Sequence, residues 1–313
     1  MKEKIYNQLI EVANIADKEK NPNLAKRILR TIIGENENAH SIDKIIFENY
    51  HRNFGVRVIT SRWVHDNLCK IKDYADKQFK NFEPELNVYT HWNSSFESAP
   101  SIVSSCHKSL LMNKGAYNVV PLDNERMLEY SGVPHDVALK LENKLPFLTD
   151  VCRVHLLART GGIWADATCY FHEPIPDIEY LLMDGHFFAF RELRLKGRIS
   201  NWFLSSSCGA QTAQLMAAAL VLFWREFDAP PHYHFFHDIF ETIVLIDPDV
   251  SKEFSESKVL DRHTPHVLQK NLMSKFNDTW YSGMLNSSFV HKLTHKYDKT
   301  IDLNDLNISK ILV

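Results

Sequence analysis

No run of apolar residues in this 313-residue chain reaches the length of about 18 to 20 that a membrane-crossing helix needs. The first twenty residues mix acid with base and hold no apolar core of the kind a secretory signal carries. Both absences predict a cytoplasmic protein. No charge of one sign dominates: 36 Lys and Arg stand against 39 Asp and Glu, a formal net charge of −3. Bulk charge therefore gives no pull toward nucleic acid. A local basic cluster, Lys18, Lys20, Lys26, Arg27 and Arg30, allows peripheral contact with an anionic inner-membrane surface. Glu11, Asp17 and Glu19 lie among these residues, so a plain solvated helix face is the competing reading.

Cysteine is scarce. The five residues Cys69, Cys106, Cys152, Cys169 and Cys208 form no C-x-x-C pair, which argues against a zinc site and for reduced thiols. Several catalytic layouts are missing: G-x-G-x-x-G after a strand, the phosphate loop G-x-x-x-x-G-K, the elbow G-x-S-x-G and the pair H-E-x-x-H. Internal repeats and low-complexity tracts are missing too.

What is present is a globular composition, 44% hydrophobic and 12% aromatic. Residues 1–83 read as a helical region. Asn21-Pro22 opens one helix that stops at Gly34, Ser41 opens a second, and a third covers about 62–79. From residue 84 strands and helices alternate. Strands are expected at 86–89, 117–122, 163–165, 187–190 and 199–206, and helices after Ala99-Pro100, around Met127-Leu128, over 146–159 and over 211–227. The alternation predicts an α/β domain over 84–313 with a mostly parallel sheet flanked by helices. Ligands of such sheets sit at the carboxyl ends of the strands, which places Trp92 and Asp123 at the mouth of a site.

The informative stretch is Thr149-Asp150-Val151-Cys152-Arg153 followed by Gly161-Gly162-Ile163-Trp164-Ala165-Asp166-Ala167-Thr168. Asp150 and Arg153 are three apart on one helix face, a carboxylate and a guanidinium suited to grip sugar hydroxyls. The double glycine lets the backbone turn sharply from helix to strand and approach a ligand. Asp166 at a strand end can hold Mg²⁺ or Mn²⁺ against a diphosphate. Taken singly these are an ion pair, a helix stop and a commonplace aspartate. Their order and spacing together point to a site.

The segments YTHWNSSFESAPSIVSSCHKSL, YNVVPLDNERMLEYSGVP, TDVCRVHLLARTGGIWADAT and ISNWFLSSS resemble the capsular polysaccharide synthesis proteins, with weaker likeness through HFFHDIF and SSFVHKLTHK. That family is similar to glycosyltransferases of the GT-A fold, among them glucosylating toxins and mannosyltransferases with a D-x-D sugar-binding motif. The resemblance implies transfer of a sugar, expected from a UDP-linked donor, to a saccharide acceptor carried on lipid, with a divalent metal and retention of anomeric configuration. It implies Trp92 near the base, Asp150 and Arg153 on the donor sugar, and Asp166 as first carboxylate of the D-x-D. Thr168 stands where a second Asp is expected. His237 is the candidate to complete the metal site, with Asp238 as the alternative. Ser288 and Lys292 would address the diphosphate from a closing loop, and Trp202 would floor an acceptor subsite or pack in the core. A toxin-like protein acceptor, or a catalytically silent carbohydrate-binding subunit, are the rival readings.

Overall fold

The computed structural model describes residues 54–80, 82–192, 198–297 and 302–312. The helices expected from Asn21 and from Ser41, and the basic cluster at Lys18 to Arg30, lie outside the described residues. The third expected helix is α1, Phe54–Gln78, eight residues longer at its start than anticipated. Its opening turns contain Gly55, Val56, Val58 and Thr60, all weak helix formers, which hid them in the sequence. Tertiary packing overrides that weakness. Ile59, Trp63, Val64, Ile71 and Ala75 are buried in the main core, so α1 shares its hydrophobic core with the downstream elements.

The chain then runs through β1 (Asn87–His91), α2 (Ser101–Met112), β2 (Asn118–Leu122), α3 (Asn124–Ser131), α4 (His135–Leu141) and α5 (Leu145–Thr160). After α5 come β3 (Gly162–Ala165), β4 (Cys169–Phe171), α6 (Ile178–Leu182), β5 (Phe187–Arg191) and β6 (Ile199–Ser206). The remainder holds α7 (Gln211–Glu226), α8 (Phe235–Ile246), α9 (Pro248–Ser255), α10 (Val267–Lys270), α11 (Asp278–Leu285) and β7 (Val290–Lys292). Five strands form one sheet in the order β2-β1-β3-β6-β5. β1 is parallel to both β2 and β3, whereas β6 is antiparallel to β3 and to β5. Four strands therefore point one way and β6 alone runs back, the mostly parallel sheet that the alternation predicts. Pro121 lies in β2, an edge strand, where the missing N–H costs the ladder little.

Both faces of the sheet are covered. Successive residues of β5 go to opposite sides: Phe187 and Ala189 join the core under α5, α7 and α8, and Phe188 and Phe190 join a second core with Phe171 and Leu181. Trp164 and Ile163 divide in the same way on β3. This period of two explains why the strands read as unbroken apolar runs. Among the described residues no helix is long and apolar enough to cross a membrane.

Gly161 and Gly162 make the turn from α5 into β3 at φ +70° and +89°, in the region that L side chains avoid. A Cβ on Gly161 would stand 2.6 Å from the Cys208 nitrogen, and one on Gly162 2.6 Å from the Asn87 carbonyl oxygen. The close approach made possible here is to neighbouring backbone. Strain and clash add, so Gly162→Ala is expected to lower unfolding free energy by at least about 2 kcal/mol or to prevent folding. Denaturant unfolding of the variant against the parent checks this, and equal midpoints would contradict it.

Candidate active site

A cavity of about 690 Å³ opens beside the carboxyl ends of β1 and β3. Three kinds of element build its wall. His91 and Trp92 close β1, and Asp166 to Thr168 follow β3. Ser200, Asn201 and Trp202 come from the start of β6, which runs back along β3. The first turns of α5 add Thr149, Asp150 and Arg153, and the start of α8 adds Phe236 and His237.

Asp150 and Arg153 are largely buried, with side-chain exposures of 12% and 7%, and sit 3.4 Å apart. Arg153 reaches four oxygens: the Thr149 carbonyl, the Asn201 carbonyl, Asp150 and, at 3.5 Å, Asp166 Oδ1. Its guanidinium also lies 5.2 Å over the Trp164 ring, and so is held on several sides. Asn201, absent from the sequence expectations, donates to Asp150 Oδ1 at 2.9 Å. A side-chain amide next to Trp202 at the start of β6 was the signal that could have found it.

Asp166 is tied through both oxygens. The Trp164 indole N–H donates to Oδ1 at 3.0 Å, and the Lys292 ammonium donates to Oδ2 at 2.7 Å. The same ammonium donates to Thr168 Oγ1 at 2.8 Å. Lys292 reaches this place because β7 pairs antiparallel with β4, in a register that sets Lys292 opposite Cys169. The segment expected as a closing loop is thus a strand over Val290–Lys292, its backbone satisfied by β4. The Leu293 N–H continues the contact by donating to the Thr168 carbonyl at 2.8 Å.

The two carboxyls are pushed apart electrostatically. Burial raises the Asp150 pKa to about 6, assisted by the Asp166 charge and opposed by Arg153 and the Asn201 amide. Burial also pushes Asp166 upward, but the Lys292 and Arg153 charges, with hydrogen bonds from Lys292 and Trp164, hold it below the usual carboxylate range. Burial, then nearby cations, take His237 down to about 3, so it is a neutral imidazole, and its buried Nδ1 has no hydrogen-bond partner among the described residues.

The cavity therefore brings together Trp92, Asp150, Arg153, Asp166, Thr168, Trp202, His237 and Lys292. Trp202 also stacks on Phe190 with ring centroids 5.2 Å apart, so it serves the core and the wall at once. Five expected residues are not in the wall. Asp123 caps α3, accepting from the Arg126 N–H at 2.9 Å. Gly161 and Gly162 stand at the far end of β3 from Asp166. Ser288 precedes β7 and turns back toward Leu285. Asp238 is likewise outside the wall, buried against His232 and Arg57.

A divalent ion does not fit the donor set as it stands. Mg²⁺ and Mn²⁺ take oxygen ligands, carboxylates above all. Here Asp166 supplies one carboxylate already shared between Trp164 and Lys292, and Thr168 supplies a neutral oxygen bonded to the same ammonium. Among the described residues no three His, Cys, Asp or Glu side chains gather as a metal-holding group. At an effective dielectric near 20, unit charges about 4 Å apart repel by about 4 kcal/mol, and a divalent ion beside Lys292 would feel roughly twice that. Besides Asp150 and Asp166, the wall carries Arg153, Arg262, Lys292 and the histidines His91, His234, His237, His266 and His295. Three fixed cations against two carboxylates favour an anionic ligand.

The raised pKa of Asp150 gives a stability test. The unfolded group titrates near 3.8 and the folded one near 6, so the cost of its charge is absent below pH 3.8 and complete above pH 6. That shift, in which the Arg153 attraction is already counted, corresponds to roughly 3 kcal/mol, and an amide in place of the carboxyl recovers a part of it. Asp150→Asn is therefore expected to be more stable than the parent by about 1 to 2 kcal/mol at pH 8. The advantage should shrink as pH falls through 6, read by thermal or denaturant unfolding across pH. An advantage that grows toward acid would reverse the sign.

A solved structure titled "PaToxG Glycosyltransferase" is similar to the chain at 12% sequence identity with a TM-score of 0.36, over 61% of this chain and 79% of that one. No curated protein sequence matches significantly. The family described as "Capsular polysaccharide synthesis protein" matches residues 44–311. With that match spanning most of its 313 residues, the chain belongs to the capsular polysaccharide synthesis protein family.

Proposed function

We propose that the chain is a glycosyltransferase of GT-A-like architecture that moves a sugar from a nucleoside-diphosphate donor, UDP-linked in our reading, to a saccharide acceptor in surface polysaccharide synthesis. One observation carries the reading. Asp150, Arg153, Asp166 and Lys292, from three separated stretches of sequence, converge on a cationic cavity at the carboxyl edge of a mostly parallel sheet. Family membership supports the polysaccharide context.

The residues divide by chemistry. Asp150 and Arg153 address the hydroxyls of the donor sugar, with Asn201 fixing the Asp150 carboxyl. Lys292 offers a point charge to the diphosphate. Trp92, which meets His295 edge-on at 5.2 Å, supplies an aromatic surface beside β1 for the base. In the reaction the bond from the anomeric carbon to the β-phosphate oxygen breaks, and both its electrons leave with the diphosphate. The acceptor hydroxyl oxygen forms the new bond, and its proton passes to the departing β-phosphate oxygen. Charge builds on the leaving phosphate through an oxocarbenium-like state, and fixed cations lower that barrier. The acceptor is a lipid-carried saccharide met at a membrane surface; a protein acceptor would show itself in an acceptor screen.

The test is turnover of a panel of UDP-, GDP- and CMP-sugars, as transfer or as hydrolysis. Asp166→Ala is expected to abolish turnover with the fold intact. Arg153→Ala is expected to lower it at least about a hundredfold, roughly 3 kcal/mol of transition-state contact. Its affinity for free nucleotide should persist, because Arg153 addresses the sugar. A parent protein inert toward the whole panel would sink the enzyme reading in favour of a binding subunit.

A further inference from the structure

Two residues of the motif meet one ammonium. Lys292 Nζ lies 2.7 Å from Asp166 Oδ2 and 2.8 Å from Thr168 Oγ1, the two side chains between which a D-x-D motif would hold its cation. We propose that Lys292 occupies the seat of the divalent ion and receives the donor diphosphate itself, so that nucleoside-diphosphate binding requires no metal. The inference rests on the glycosyltransferase reading above.

Charge balance supports it. Two carboxylates neutralise a divalent cation; one carboxylate neutralises one ammonium. With Thr168 in the place where a D-x-D motif has its second Asp, the site sets one carboxylate against one ammonium, and the neutral hydroxyl is what a monovalent partner needs. Geometry supports it as well. A lysine ammonium has three N–H donors, of which Asp166 and Thr168 take two, leaving one for a phosphate oxygen. The Lys292 side chain keeps 18% of its surface exposed and lines the cavity, so its charge is not sealed in. The position is also fixed: β7 is locked to β4 by antiparallel pairing, and Leu293 is bonded to Thr168. A lysine held this way is preorganised toward the charge that appears when the anomeric bond breaks. Arg153, 3.5 Å from Asp166 Oδ1, adds a second positive charge to the same carboxylate, which disfavours a third cation there.

The experiment is calorimetric titration of UDP and of GDP into the metal-stripped full chain in EDTA, repeated with Mn²⁺ in place of EDTA. At least one nucleotide is expected to bind in EDTA, with a Kd within threefold of its value in Mn²⁺. Lys292→Met is expected to weaken that binding at least tenfold. If the variant does not fold, the parent comparison decides alone, joined by Mn²⁺ electron paramagnetic resonance on the parent with nucleotide present, where no bound-ion signal is expected. Binding that appears only with Mn²⁺, or tightens more than threefold with it, overturns the lysine seat and leaves the glycosyltransferase reading standing. Full affinity in a folded Lys292→Met protein also overturns it. Failure of both nucleotides in both conditions overturns the donor reading together with the seat.

Discussion

The ion pair between Asp166 and Lys292 joins parts of the molecule that share no continuous element. Asp166 follows β3 of the large sheet, and Lys292 ends β7 in the small one. Burial alone would push this carboxyl upward. Because Lys292 and Arg153 surround it, it stays ionised, and the ionised form then sets the stations of its neighbours. Arg153 leans toward it from α5, Trp164 donates to it from within β3, and Thr168 shares its cation. Asp150, on the other side of Arg153, is driven the opposite way by burial, with the Asp166 charge assisting.

That arrangement uses the sheet as a frame. The parallel strands bring the ends of β1 and β3 to one edge, and the reversed strand β6 delivers Asn201 and Trp202 to the same edge from the opposite direction. The apolar residues on both sides of the sheet keep these ends in register. A polar site on such a frame needs little movement to hold a charged ligand, because each side chain already has a partner that limits its rotamers.

Much of this was legible in the sequence. The strand over 199–206 falls where the apolar run places it, and the helix over 146–159 differs by one residue at each end. Asp150, Arg153 and Asp166 could be read because their spacing is local: three residues on one helix face, then a turn into a strand. What stayed hidden is non-local. β4 and β7 are three residues each, too short for a periodic signal, and only their pairing puts Lys292 beside Asp166. Asn201 was overshadowed by the aromatic next to it. Asp123 misled for a physical reason: an Asp ahead of a helix and at a strand end satisfies two rules at once, and here the cap claims its side chain.

The partnership of β4 with β7 has a consequence for how the protein comes into being. Asp166 and Lys292 are separated by 126 positions. Synthesis supplies the sheet, Arg153 and both carboxylates long before it supplies the lysine, since β6 and most of the core precede residue 290. Until β7 is added, the Asp166 carboxylate faces the cavity without its main counter-charge. In the proposed reading, the charge that meets the diphosphate arrives when that late strand docks, and a nascent or clipped chain ending before β7 carries the frame of the site without Lys292.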